Sequence, residues 1–180
     1  MIRAGSLRKE YDGFAALDDV SFEIGESAIF GVIGHNGAGK TTLLKILSGL
    51  ITPTAGRLVV DGIDVLRQPL ELKRRLGYLP EESRLYETMT VPAYLRFFGE
   101  IYGMDAAGIE RRSRDLLRTL SLEPDGRKIQ ALSKDMRRKV AIARSLLHDP
   151  RLLVYDAPTS GLDPMTSRDI LEYLGNLRRE

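Results

Sequence analysis

Hydrophobic positions along the chain change rhythm twice. Leu17 to Ile24 (LDDVSFEI) ends in alternating apolar residues, the period of a half-buried strand. Ala28 to Ile33 (AIFGVI) is a continuous short apolar run, which predicts a strand buried on both faces. A glycine-rich turn follows, then a helix with Leu43, Ile46, Leu47 and Leu50 on one face. Gly49 lies near its end and Pro53 beyond it. Leu58-Val59-Val60 before Asp61-Gly62 predicts a strand closed by a turn. Leu76 to Leu79 predicts another, stopped by Pro80.

From Thr90 to Leu147 the spacing is helical. Thr90 caps a helix whose inward face is Tyr94, Leu95, Phe98, Ile101 and Tyr102. A second helix carries Ile109, Leu116, Leu117 and Leu120. Ser133 caps a third, with Met136, Val140, Ala143 and Leu147 inward. Leu152 to Tyr155 then returns to a buried strand ending in Asp156. A last helix opens with Asp163 as cap and Pro164 at its first position, and buries Ile170, Leu174 and Leu177. The pattern predicts an α/β core with an inserted helical lobe at about 88–147. It shows no internal repeat and no low-complexity segment.

Composition narrows the class. The 180 residues, 43% hydrophobic, suffice for one globular domain over 1–180. A net charge of +2 from 27 basic and 25 acidic side chains argues neither for nor against nucleic acid. The clusters Lys73-Arg74-Arg75, Arg111-Arg112 and Arg137-Arg138-Lys139 read as solvated helix faces, so no nucleic acid is expected. The stripe Tyr94, Phe97, Phe98 and Tyr102 reads as helical core, part of it a docking groove, rather than a base-stacking platform. There is no cysteine, hence no disulfide or thiolate chemistry. No stretch approaches the ~18 apolar residues that span a bilayer, and the start Met1 to Ser6 is no secretory signal.

Gly34-His35-Asn36-Gly37-Ala38-Gly39-Lys40-Thr41 fits the phosphate-binding P-loop, between an apolar run and a helix. Glycines let successive backbone N–H groups turn around an anion, and the helix N-terminus adds partial positive charge. Lys40 would reach the β- and γ-phosphates and the Thr41 hydroxyl would ligate Mg²⁺, with Thr42 beside it. The bland alternative is a glycine-rich turn with a solvated lysine. Asp156, at the end of a strand beside the P-loop strand, would hold Mg²⁺ through water. Alone it reads equally well as a turn aspartate before Ala157-Pro158.

Leu132-Ser133-Lys134-Asp135-Met136-Arg137 precedes a helix, then comes the strand to Asp156, then Pro158-Thr159-Ser160-Gly161-Leu162-Asp163-Pro164. This order resembles the ABC ATPase family, with signature motif (Ser133, Lys134, Asp135, Met136), Walker B strand and D-loop (Ser160, Gly161, Leu162, Asp163). Tyr11 stands where that family stacks an aromatic on adenine. Gly77-Tyr78-Leu79-Pro80-Glu81 stands at its Q-loop, and Thr90 to Gly103 resembles the lobe of its ABC-2-type exporter branch. The resemblance implies a P-loop NTPase core with an N-terminal antiparallel β-lobe and an inserted helical subdomain. It implies ATP and Mg²⁺, the metal on Thr41, Glu81 and Asp156. It implies a head-to-tail homo- or heterodimer with a second ABC ATPase subunit, each ATP lying between one P-loop and the other signature. It also implies an integral membrane transporter subunit as partner, and a cytoplasmic location on the inner face of the membrane through that subunit.

The sequence departs from the family around the γ-phosphate. Ala157 occupies the position of the glutamate that polarises the attacking water, and loss of a positioned base costs about 10²–10⁴ in rate. Glu81, replacing the Q-loop glutamine, is the candidate substitute base. Lys134 and Asp135 replace the signature glycines. At ~4 Å and an effective dielectric of ~20, Asp135 would repel the partner's γ-phosphate by about 4 kcal/mol, unless it turns away or Lys134 screens it. The family continues into a further core strand and a switch histidine, so the C-terminal part of the domain is expected to be missing, leaving a gap in the sheet. His35 and His148 stand elsewhere and read as structural. Three functions follow: a weakly hydrolysing transporter ATPase subunit, a non-hydrolysing ATP-binding partner of an active cassette, or a soluble cassette on ribosomes or DNA.

Overall fold

The computed structural model describes residues 1–123 and 126–176, which group into two units, 1–76 and 77–176. In the first, β1 (Ile2–Tyr11) and β2 (Phe14–Ile24) form an antiparallel hairpin. Its two-residue turn is Asp12-Gly13, with φ of +46° and +83°. Positive φ at both positions is the type I′ geometry that matches strand twist. The Asp61-Gly62 turn uses the same device (+49°, +77°) between β3 (Ala55–Val60) and β4 (Ile63–Asp64). The sheet order is β2-β1-β3-β4, all antiparallel, as expected for the N-terminal β-lobe. The alternation that betrays β1 is broken between Ala4 and Leu7, where the register shifts and Ser6 takes φ +47°.

Helix α1 (Lys40–Leu47) buries Leu43, Ile46 and Leu47. Gly49 follows at φ +61°, where the left-handed conformation ends the helix. Leu50 therefore leaves the predicted face and is exposed. The larger departure is Ala28 to Ile33. No strand forms there among the described residues; Ile29 and Phe30 are exposed, and Ile33 is 97% exposed. Phe30 stacks on Phe22 at 5.9 Å, but a strand needs a ladder partner, and no strand pairs with this run. Asp156 accordingly does not lie on a strand paired with a P-loop strand. Helix α2 (Pro69–Arg75) completes the unit, with Arg74 and Arg75 paired to Glu71.

In the second unit β5 (Leu76–Leu79) pairs with β6 (Leu152–Tyr155). Of β6, Val154 is buried and Leu152, Leu153 and Tyr155 are half-buried. Helices α3 (Val91–Ile101), α4 (Ala106–Thr119), α5 (Lys134–Leu146) and α6 (Pro164–Asn176) supply the rest. Thr90, Asp105 and Ser133 cap the first three through side-chain oxygens that accept backbone N–H groups. One core gathers Leu79, Tyr94, Leu95, Leu116, Leu117, Val140 to Ala143 and Ile170. Ile101 and Tyr102 depart from expectation: α3 ends there and both are exposed, Tyr102 stacking on His148 at 3.6 Å. Leu177 lies outside the described residues.

Tyr155 hydrogen-bonds Ser145 (2.7 Å), and burial pushes its phenol from 10.0 to about 12. The folded state thus holds the proton more tightly than the unfolded one. The resulting stability is complete below pH 10 and drains away as pH rises toward 12. Urea unfolding should lose about 2 kcal/mol more over that window than Tyr155→Phe does; parallel pH curves for the two proteins would refute this.

Candidate functional site

The P-loop shows how a chain presents backbone donors. Gly37 and Gly39 both take φ +83°, and the Ala38 N–H donates to the His35 carbonyl at 3.2 Å. Gly39 is also the N-cap of α1, and it supplies no side-chain acceptor. No acidic residue stands in the first turn. The leading N–H groups of α1 therefore keep their positive dipole end uncompensated, the arrangement that receives an anion. Glycine is required at position 39, since a Cβ there would run into the Ala16 carbonyl oxygen and approach Leu17 Cδ2 to 2.8 Å. Lys40 folds back over the loop, its Nζ donating to the Gly34 (2.8 Å) and His35 (2.7 Å) carbonyls. The His35 ring meets the Asn36 carbonyl at 2.8 Å, a contact within the loop itself. Thr41 is exposed and Thr42 half-buried in the first turn. Tyr11 ends β1 with its ring 44% exposed and the Lys9 ammonium 4.8 Å from its centroid.

The remaining candidates belong to the second unit. Asp156 follows β6, is 7% exposed, and donates its N–H to the Leu79 carbonyl at 2.8 Å. Burial raises the Tyr78 phenol pKa, and the Asp156 charge raises it further. The Tyr78 Oη is buried with no hydrogen-bond partner among the described residues. An orphaned hydroxyl in the field of a buried carboxylate suits a bound water, as hydrated-metal coordination through Asp156 requires. Glu81 is exposed and meets Ser160 Oγ only weakly, at 3.5 Å. Ala157 is exposed at φ +43°, a left-handed conformation unfavourable for alanine.

The altered signature engages its own D-loop. Ser133 Oγ accepts the Met136 N–H (3.2 Å), so the cap is made within α5. The Lys134 ammonium occupies the space a Cβ on Gly161 would need. Asp135 and Asp163 share a hydrogen bond that raises the Asp135 pKa. Asp163 is held at about 2, chiefly by the Thr166 hydroxyl and next by the Thr166 N–H, which it accepts at 3.0 Å. It also accepts the Met165 N–H at 2.9 Å, capping α6 as predicted. Leu162 is half-buried against the unit's core.

Arg138 corrects the sequence reading. It is 6% exposed rather than solvated. Its guanidinium donates to the carbonyls of Pro80, Glu81, Asp156, Ala157 and Pro158, and so draws the Q-loop, the end of β6 and the D-loop together. The missed signal is its helical spacing with Ile142 and Ser145, both buried. Among the described residues no three His, Cys, Asp or Glu side chains cluster closely enough to hold a metal. A metal here would take ligands from a nucleotide and water besides the chain.

Gly39→Ala should destabilise the first unit by about 1–3 kcal/mol, through strain at positive φ and collision with the Ala16 carbonyl. Denaturant unfolding checks it, and an unchanged midpoint would count against the tight approach of β2.

Residues 17–160 match the ABC transporter family model. The chain is 41% identical over 167 residues to the ABC transporter ATP-binding protein NatA of Bacillus subtilis (strain 168), covering 92% of this chain and 68% of that protein. It is 33% identical to the linearmycin resistance ATP-binding protein LnrL of the same organism, covering 98% of this chain and 57% of that one. It is 40% identical to the Nod factor export ATP-binding protein I of Ralstonia nicotianae, covering 95% and 54%. The chain thus spans little more than half the length of the latter two. Among solved structures, a dimeric ATP-binding cassette in a post-hydrolysis state with ADP and Pi is 26% identical, with a TM-score of 0.90 over 99% of this chain and 83% of that one. An ATP-binding subunit of an ABC transporter is 33% identical, with a TM-score of 0.89 over 99% and 75%. Its P-loop, its motif order and these likenesses together place the chain in the ABC transporter family, with that family's ATP-binding cassette fold.

Proposed function

We propose that this chain is the ATP-binding subunit of an ABC transporter of exporter type, with weak hydrolysis of its own. The observation that carries the reading is the uncapped N-terminus of α1 behind two left-handed glycines, with Lys40 folded over the loop. Gly34 to Thr42 would cradle the phosphates, Lys40 exchanging its two carbonyl acceptors for phosphate oxygens, and Tyr11 would offer its ring to adenine. Bound Mg²⁺ would neutralise phosphate charge; Thr41 in the first unit, and Asp156 and Glu81 in the second, are its candidate ligands. Ala157 offers no proton acceptor, so water activation falls to Glu81, which is exposed and not braced by a strong hydrogen bond.

The export and resistance functions named for the relatives support an exporter, and the dimeric cassette supports a second ABC subunit as partner. No helix among the described residues is long and apolar enough to cross a membrane. The membrane path would come from a separate integral subunit, with this chain peripheral on the inner face.

Excess protein mixed with trace labelled MgATP should retain the label mainly as ATP, and Lys40→Ala should abolish retention. Ala157→Glu should speed conversion to ADP by about 10²-fold or more. Failure to retain ATP overturns the assignment. Turnover of several per second by the unaltered protein overturns weak hydrolysis, and Glu81→Gln then tests the substitute base. Retention without any conversion, in the parent and in Ala157→Glu, favours the second reading: a non-hydrolysing partner of an active cassette.

A further inference from the structure

We propose that Phe14 is a base-binding residue, the second aromatic ring of a purine site whose first ring is Tyr11; the proposal deepens the nucleotide-binding reading above and rests on it. Every residue concerned belongs to the first unit, the phosphate loop included. In the β1–β2 hairpin, Lys9 stands opposite Leu17, Glu10 opposite Ala15 and Tyr11 opposite Phe14. One step along β1 from Lys9 to Glu10 thus takes two steps along β2, and Ala16 is the extra residue of a bulge. Residues opposite one another in an antiparallel pair share a face of the sheet, and so do residues two apart on one strand. Lys9 therefore shares the face of Leu17, Tyr11 that of Lys9, and Phe14 that of Tyr11. Leu17 and Phe14 lie three positions apart, which in a regular strand would put them on opposite faces. The bulge at Ala16 brings Phe14 round to the face of Leu17.

That face is the one turned to the phosphate loop. Leu17 is buried, and a Cβ on Gly39 would approach its Cδ2 to 2.8 Å. The carbonyl of the bulged Ala16 abuts the same glycine. Gly39 is the N-cap of α1, where the anion-receiving N–H groups begin. Three residues of bulged strand, at most about 10 Å, separate that point from Phe14. A nucleotide spans such a gap between its phosphates and its base. The two rings at the far end are open, Tyr11 at 44% exposure and Phe14 at 67%. The Lys9 ammonium, donating to the Thr52 carbonyl at 2.9 Å, lies 4.8 Å from the centre of the Tyr11 ring and so braces it. The type I′ turn at Asp12-Gly13 holds the two rings at a fixed spacing. A single exposed aromatic residue needs no explanation. Two such residues opposite one another, on the face that meets the phosphate loop, make a platform for a flat base. The fused rings of a purine offer that platform more area than a pyrimidine does.

The test measures metal-free binding of ATP, CTP and inorganic triphosphate to the parent, Phe14→Ala and Phe14→Trp. Phe14 is exposed, so both variants should keep the parent's stability. Phe14→Ala should weaken ATP about 5–100-fold, the usual worth of one base–aromatic stack, and CTP less. Triphosphate, which has no base, should bind unchanged. Phe14→Trp should hold ATP at least as tightly as the parent does. An unchanged ATP affinity in Phe14→Ala overturns the proposal, as does an equal fall for ATP and triphosphate, the mark of a merely structural role. A parent that binds triphosphate but holds ATP no more tightly leaves the phosphate loop standing and overturns the base site. A parent that binds neither overturns the nucleotide-binding reading itself, and the base site with it.

Discussion

A cation buried in a protein must be surrounded by acceptors, and in the second unit that requirement dictates where two loops go. Arg138 sits at 6% exposure with five backbone carbonyls around it. Leaving any of its N–H groups unpaired would incur a desolvation penalty of about 1–3 kcal/mol. The penalty is avoided only if the chain after β5 and the chain after β6 both turn toward α5. The same bonds fix the left-handed Ala157 and so set the direction in which the D-loop departs. Burial lowers the Arg138 pKa, and the charges of Glu81 and Asp156 oppose that shift. The carboxylates and the guanidinium therefore stabilise one another at a distance.

In the first unit the constraint is complementary: donors, rather than acceptors, are left open. Gly39 ends in contact range of β2, so no side chain can cap α1 from that position. The helix dipole then stays available to an external anion. Lys40 satisfies itself provisionally on the Gly34 and His35 carbonyls, a short-range arrangement that an incoming phosphate can replace without moving the backbone.

The signature substitutions make local sense together. Lys134 covers Gly161, where the absence of a side chain leaves room for its ammonium. Asp135 meets Asp163, itself held ionised by the Thr166 hydroxyl first and then by the amides at the start of α6. Two residues that look disruptive when read singly thus form contacts between the signature turn and the D-loop of one chain.

The helical lobe was the most legible part. Caps at Thr90 and Ser133 and the spacing of Leu116, Leu117, Val140 and Ala143 are local signals, because a helix satisfies its own hydrogen bonds. The left-handed turn at Gly37 and Gly39 and the helix that opens at Lys40 were legible for a similar reason: they follow from residue type and short spacing. Tertiary structure alone decided what depends on distant partners. Ala28 to Ile33 has the composition of a buried strand, yet a strand exists only where another strand supplies the ladder, and no partner pairs with it among the described residues. Arg138 stands in a basic run that looks solvated, and its burial depends on carbonyls some 18 to 58 positions away. Local spacing settles what a helix or a phosphate loop needs; only the assembled fold settles which distant acceptors and ladder partners come within reach.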